Sequence, residues 1–149
     1  IARGDRIPLI PRTIFKVGIG WDATRFLSLD LDMIAVSGMY ARGNENNQDQ
    51  PDGIYYLGSG KTRPNAVANA GVEVRPVRGL TVFVQVDNLL DKHYATAAQL
   101  GATGFDASSN VVSRPFAGPV IGGERPLVSS TFYSPGAPRS VQVGARVKF

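Results

Sequence analysis

Cysteine is absent from all 149 residues, so neither a disulfide frame nor a thiolate metal site can form. Histidine occurs once, at His93. A lone imidazole without a carboxylate–hydroxyl constellation makes neither a catalytic triad nor a metal centre, so a structural or rim role is expected for it. Long apolar runs are also missing. Although 43% of residues are hydrophobic, no segment approaches the roughly 20 apolar residues a membrane helix needs. No basic-then-apolar leader opens the chain; it starts at Ile1 inside what reads as a loop, and is expected to be a piece of a longer protein. A single-sign charge block is lacking too: the net charge of +4 is spread in isolated Lys and Arg residues, which gives no basis for nucleic-acid binding. No cofactor and no enzymatic activity are expected.

What the chain does have is alternation. From Val141, the residues Val141, Val143, Ala145, Val147 and Phe149 fall on one face and Gln142, Gly144, Arg146 and Lys148 on the other, the repeat of a strand. Four earlier segments share it. About Thr13 to Trp21 sets Phe15, Val17, Ile19 and Trp21 against Lys16, Gly18 and Gly20. About Phe26 to Ala41 sets Leu27, Leu29, Leu31, Met33 and Ala35 against Ser28, Asp30 and Asp32. About Asn65 to Arg75 sets Ala66, Ala68, Ala70, Val72 and Val74 against Asn69, Gly71, Glu73 and Arg75. The fourth sets Leu80, Val82, Val84 and Val86 against Thr81, Gln85 and Asp87, with Phe83 as the exception.

The connections alternate short and long: Asp22–Arg25 is tight, Arg42–Arg63 long and polar, Pro76–Gly79 tight, and about Gln99–Gly136 long again. A meander whose turns differ systematically at its two ends, with one face apolar and the other carrying Lys16, Asp30, Asp32, Glu73, Arg75, Asp87 and Arg146, is the pattern of a transmembrane β-barrel. A soluble β-sandwich also has a polar outer face, and the pattern alone leaves both open. Ten residues tilted at about 45° span roughly 23 Å, near the height of a barrel's apolar band. Trp21 and Phe149 then fall at one set of strand ends and Tyr40 and Tyr94 at the other, as interfacial aromatics do.

Two stretches carry more than periodicity. Asp87-Asn-Leu-Leu-Asp-Lys-His-Tyr-Ala95 resembles the Asn-Leu-Phe-Asp-Lys/Arg-x-Tyr motif in the penultimate strand of TonB-dependent outer-membrane receptors, with Leu90 where Phe is usual. Tyr133-Ser-Pro-Gly-Ala-Pro-Arg-Ser140, followed by the alternating strand to Phe149, resembles that family's last strand. Arg6-Ile-Pro-Leu-Ile-Pro-Arg12 resembles the lead-in to its late strands, while Arg63-Pro-Asn-Ala66 departs from the usual Pro-Gly-Tyr start. The resemblance covers essentially the whole chain. It implies an all-β fold: an antiparallel meander of about five strands, residues 1–149 being the C-terminal, closing part of a barrel of about 22 strands. Plug domain and earlier strands are absent from this sequence. The function implied is TonB-energised import of a ferric siderophore or similar large scarce nutrient across the outer membrane of a Gram-negative bacterium. Implied partners are outer-membrane lipid, the barrel-assembly machinery reading Phe149, and TonB acting through the missing N-terminal part. The competing expectations are a passive porin or autotransporter translocator barrel, and a soluble β-sandwich binding module.

Other motifs read more simply. Gly58-Ser-Gly-Lys-Thr62 looks like the end of a P-loop, but Tyr55 stands where the first glycine belongs and Arg63-Pro64 where a helix should start. Asn44–Gly53 is rich in oxygen ligands without the spacing of an EF-hand, and is expected to be a solvated loop. Asp87 and Asp91 are expected to bind strand-end backbone or lumenal cations, and Glu73 and Arg75 to pair. Tyr55, Tyr56, Phe105, Phe116, Phe132 and Tyr133 lie in the two long loops and are candidate substrate contacts.

Overall fold

Alternation becomes a ladder once each strand finds an antiparallel neighbour. The computed structural model describes residues 2–52, 56–105, 108, 110, 111 and 128–149. It contains β1 (Ile14–Thr24), β2 (Leu27–Val36), β3 (Asn65–Val77), β4 (Leu80–Asp87), β5 (Ala95–Ala102), β6 (Ser129–Pro135) and β7 (Ser140–Val147). Every element among the described residues is a strand. The order β1-β2-β3-β4-β7 makes one five-stranded antiparallel sheet, and β5 pairs with β6 in a second, two-stranded one. The chain divides into two units. Thr13–Ser37, Pro64–Tyr94 and Gly136–Phe149 form the sheet unit, and Ile1–Arg12, Gly38–Arg63 and Ala95–Pro135 form the loop unit.

In the sheet unit the register gathers apolar side chains on one face and the charged residues on the other. One cross-strand row runs Ile19, Leu31, Ala70, Val86, Val141, and the next runs Trp21, Leu29, Val72, Val84, Val143. The rows facing the other way include Gly20, Asp30, Gly71, Gln85, Gln142 and Asp22, Ser28, Glu73, Phe83, Gly144. The apolar face is open: Ile19 is 66% exposed, Trp21 63% and Val143 71%. Covering a side chain of this kind is worth roughly 1.5–3 kcal/mol, so the face as a whole outweighs the net stability of about 5–15 kcal/mol typical of a domain. A sandwich would cover it with a second layer; here these residues stay exposed.

The short connections sit at one end of the sheet. Between β3 and β4 only Arg78 and Gly79 turn the chain, and Gly79 takes φ +85°, the left-handed region in which glycine meets no steric cost. Phe83, out of step with the alternation, points to the polar face and lies across from Gly144, where an added Cβ would come within 2.4 Å of the ring. The aromatic thus covers a strand glycine, the pairing that keeps such a position extended.

Two expectations need correcting. The second strand stops at Val36 rather than Ala41, because Met39 and Ala41 are buried in the loop unit and bond to Thr62 and Gly60: the amides of Thr62 and Ala41 donate to Met39 O at 2.8 Å and Gly60 O at 2.9 Å. The long stretch Gln99–Gly136 is not all loop either, since β5 and β6 pair from Ala95–Pro135 through Ala102–Ser129. Ala-, Gly- and Ser-rich sequences carry no amphipathic alternation, and only the partner strand reveals them.

Candidate functional site

Lys16, Asp30, Asp32, Glu73, Asp87 and Arg146 lie on the polar face of the sheet in rows set by the register, and Arg75 joins them through its side-chain contacts with Glu73 and Ser28. Glu73 and Arg75 stand two residues apart on β3, and their side chains pair at 3.1 Å. The Arg75 guanidinium also donates to Ser28 Oγ at 2.9 Å. Asp32 accepts from Asn69 Nδ2 at 2.8 Å. Asp87 accepts from Ser140 Oγ at 3.2 Å and Gln142 Nε2 at 3.4 Å, which ties the end of β4 to the start of β7. Asp30 lies across from Gly71, Lys16 from Ile34, and Arg146 from Thr81. Each carboxylate named with a donor is partly solvated and bonded, so none is an orphan in need of a ligand.

The motif Asp87–Asp91 works as a knot. Asn88 is 3% exposed and sits at φ +50°, a conformation asparagine tolerates better than most residues. Its Nδ2 donates to the carbonyls of Lys92 and Ala137, both at 3.0 Å, and its Oδ1 accepts from Lys92 N at 2.8 Å. Asp91, also at φ +50°, accepts from Arg139 N at 3.2 Å. Sequence reading singled out the two aspartates and passed over Asn88, although its place inside the motif was the available signal.

Of the strand-end aromatics, Trp21 and Phe149 lie at the short-turn end of the sheet, where β1 and β7 both finish. Tyr94 lies at the opposite end, its ring against Gly136. Tyr40 is not on a strand end: it follows β2 and bridges to Lys61 in the loop unit.

In the loop unit the two long connections are interlocked. Arg42 N donates to Ala98 O at 2.9 Å and Leu57 N to Ser129 O at 2.9 Å, so segments 40–42 and 56–62 flank β5 and β6. Asn44 is fully buried; its amide holds Asp49 O, Asp49 N and Gly60 O at 3.0–3.1 Å. The stretch from Asn44 is therefore folded around one buried amide rather than solvated throughout. Gly58–Thr62 serves the same packing: Gly60 N donates to Thr131 Oγ1 at 2.9 Å, and Arg63-Pro64 leads into β3 rather than a helix.

Of the candidate contact aromatics, Phe132 and Tyr133 are half-exposed on opposite sides of β6, and the Tyr133 hydroxyl meets Ser59 Oγ at 2.9 Å. Tyr56 lies beside β6 at the Ser129 bridge. The neighbouring Asp49 carboxylate, by its charge and then its hydrogen bond, pushes the Tyr56 phenol above its usual range. Phe105 is half-exposed beyond β5. Tyr55 and Phe116 lie outside the described residues. His93 is exposed.

No protein-family model and no curated protein matches the sequence. Solved structures do. The ferric-catecholate import receptor Fiu from E. coli K12 in its closed form aligns with 95% of this chain at a TM-score of 0.60 and 19% identity. Its open form aligns with 94% at 0.58 and 20%, and the ferric yersiniabactin uptake receptor FyuA from Yersinia pestis with 98% at 0.58 and 19%. This chain has the fold of part of an import receptor. It spans only 15–17% of the length of those proteins. At this identity the likeness is one of fold.

Proposed function

We propose that this chain is a piece of the wall of a TonB-dependent outer-membrane receptor. The apolar face meets lipid, the polar face lines the lumen, and the two long connections are extracellular loops. In this reading residues 1–149 are the C-terminal part of a closed barrel, and the whole protein imports a ferric siderophore or similar large scarce nutrient, not as an enzyme but as an energised transporter. One observation carries it. An antiparallel sheet with one largely apolar face, exposed at Ile19, Trp21, Leu31 and Val143, and a charged, hydrogen-bonded opposite face follows the fold of receptors named for ferric-catecholate import and ferric yersiniabactin uptake. Phe132 and Tyr133, half-exposed on β6, are then candidate ligand contacts. Phe149, at the end of the last strand, is the residue the assembly machinery would read.

The test is uptake of radio-iron siderophores by cells carrying the full-length protein, with and without an uncoupler of the inner-membrane proton gradient. Accumulation that the uncoupler abolishes is the expected result. Uncoupler-insensitive entry of small solutes would mean a passive pore, and no uptake together with an exported passenger domain would mean an autotransporter.

A further inference from the structure

Five cations converge at the short-turn end of the sheet from four separate stretches of chain: Arg25 between β1 and β2, Arg75 late in β3, Arg78 in the β3–β4 turn, and Arg146 and Lys148 at the end of β7. They surround a cavity of about 560 Å³. The ladder brings them together, since Arg75 N donates to Phe26 O at 2.7 Å and Lys148 N to Gly79 O at 2.8 Å. Arg25 is held over the Phe26 ring, 4.5 Å from its centroid. Arg75 is neutralised by Glu73, but the other four have no ion-pair partner among the described residues. With 16 Lys and Arg against 12 Asp and Glu in the chain, an even spread would not put five cations around one cavity. Like charges gathered around one cavity repel one another, and an anion seated among them relieves the repulsion. Guanidinium forks match the oxygens of a phosphate.

Besides Gly79 and Thr81 the rest of the lining is apolar (Phe26, Val77 and Leu80), and it identifies the anion further. Phe26 is 46% exposed and Val77 62%, and Val77 pairs with Leu80, which belongs to the apolar face through its partner Val147. The cavity therefore reaches around the sheet end, from the polar side of Arg75 and Arg146 to the edge of the apolar face. A hydrophilic anion would use only the cations. A phosphodiester carrying acyl chains uses both.

We propose that this cavity binds the headgroup of an anionic phospholipid, with the acyl chains running along the adjoining apolar face. The proposal rests on that face meeting lipid. The experiment uses the full-length protein in detergent micelles, titrated with phosphatidylglycerol or phosphatidylcholine of matched chains and read by native mass spectrometry. The same titrations are made on the double variant Arg78→Gln, Lys148→Gln. Expected is a preference for phosphatidylglycerol that falls about tenfold in the double variant and is kept when Arg78→Lys alone is made. No preference, or an unchanged preference in the variant, would overturn the proposal. Displacement of phosphatidylglycerol by millimolar inorganic phosphate would also overturn it, as a site for free anions. So would a loss of thermal stability by the variant in phosphatidylcholine alone, because the cations would then be pairing with carboxylates of the protein itself. Heat-modifiable electrophoretic mobility in the same samples reports separately whether the protein is a membrane barrel at all.

Discussion

Asn88 shows how one side chain can fix a chain crossing. Its three amide hydrogen bonds reach Lys92 and Ala137 from a site that is 3% exposed, and its backbone stands at φ +50°. Asn88→Ala removes all three bonds, strands buried backbone groups and leaves an alanine in the left-handed region. Together these should cost about 2–4 kcal/mol. Asn88→Gly relieves the backbone alone and should recover about 1 kcal/mol of that. Urea unfolding of the full-length protein from liposomes measures both. Full recovery by glycine would show that φ, and not the hydrogen bonds, is what the asparagine supplies. The motif's two aspartates are easier to notice in the sequence, because charge draws attention. The residue that closes the knot is neutral, and in the sequence only its place inside the motif marks it.

On the last strand, neighbouring positions should answer the same charge in opposite ways. Val143 on β7 is 71% exposed and sits in the apolar row with Val84 and Val72. Val143→Lys puts an ammonium into hydrocarbon if this face meets lipid, at about 2–4 kcal/mol near the midplane. Gln142 faces the other way, with its amide 3.4 Å from Asp87. Gln142→Lys should cost well under about 1 kcal/mol, since a solvated carboxylate stands beside the new charge. Folding yields and urea midpoints in liposomes separate the two. Equal costs, or a worse Gln142→Lys, would mean that the faces are reversed, as a slip of one residue would make them. The β3–β4 hairpin and the end of β7 belong to the same argument, because the register that places Val143 outward also places Arg146 opposite Thr81.

For the chain as a whole, the open apolar face and the edges of the sheet, β1 and β7 among the described residues, set the behaviour. Residues 1–149 expressed alone should not give a monomeric protein in water, since two sheet edges and a continuous apolar surface remain available for association. Single-chain membrane barrels close with at least about eight strands. Size-exclusion chromatography and a thermal scan decide it: aggregation or a requirement for detergent is expected, and a monomer with one cooperative melt would refute the barrel-wall reading. In the full-length protein, deletion of Phe149 should lower the amount inserted while leaving the melting of inserted molecules nearly unchanged. The ring is fully exposed and contributes little packing at the strand end. Wild-type insertion levels in quantified outer-membrane fractions would remove its assembly role.

The five-strand meander, its faces and the tight turn at Gly79 were legible in the sequence because they depend on period-two alternation and on one glycine, both local properties. The first turn, by contrast, is Arg25 and Phe26 rather than Asp22–Arg25, since Asp22 and Thr24 pair with Ser28 and Leu27. The seven charges of the polar face followed from the same period. The ends of elements and the loop unit were not legible. β2 yields at Val36 because Met39 and Ala41 find partners in Thr62 and Gly60, far along the chain. β5 and β6 exist because Ala98 meets Tyr133 and Leu100 meets Thr131, with no alternation in either strand to announce them. The basic cavity at the short-turn end belongs to the same class: its five cations lie scattered between positions 25 and 148 and become one site only when the ladder aligns their strands. Periodicity determines which way a side chain faces, and only pairing across the sheet decides what it faces.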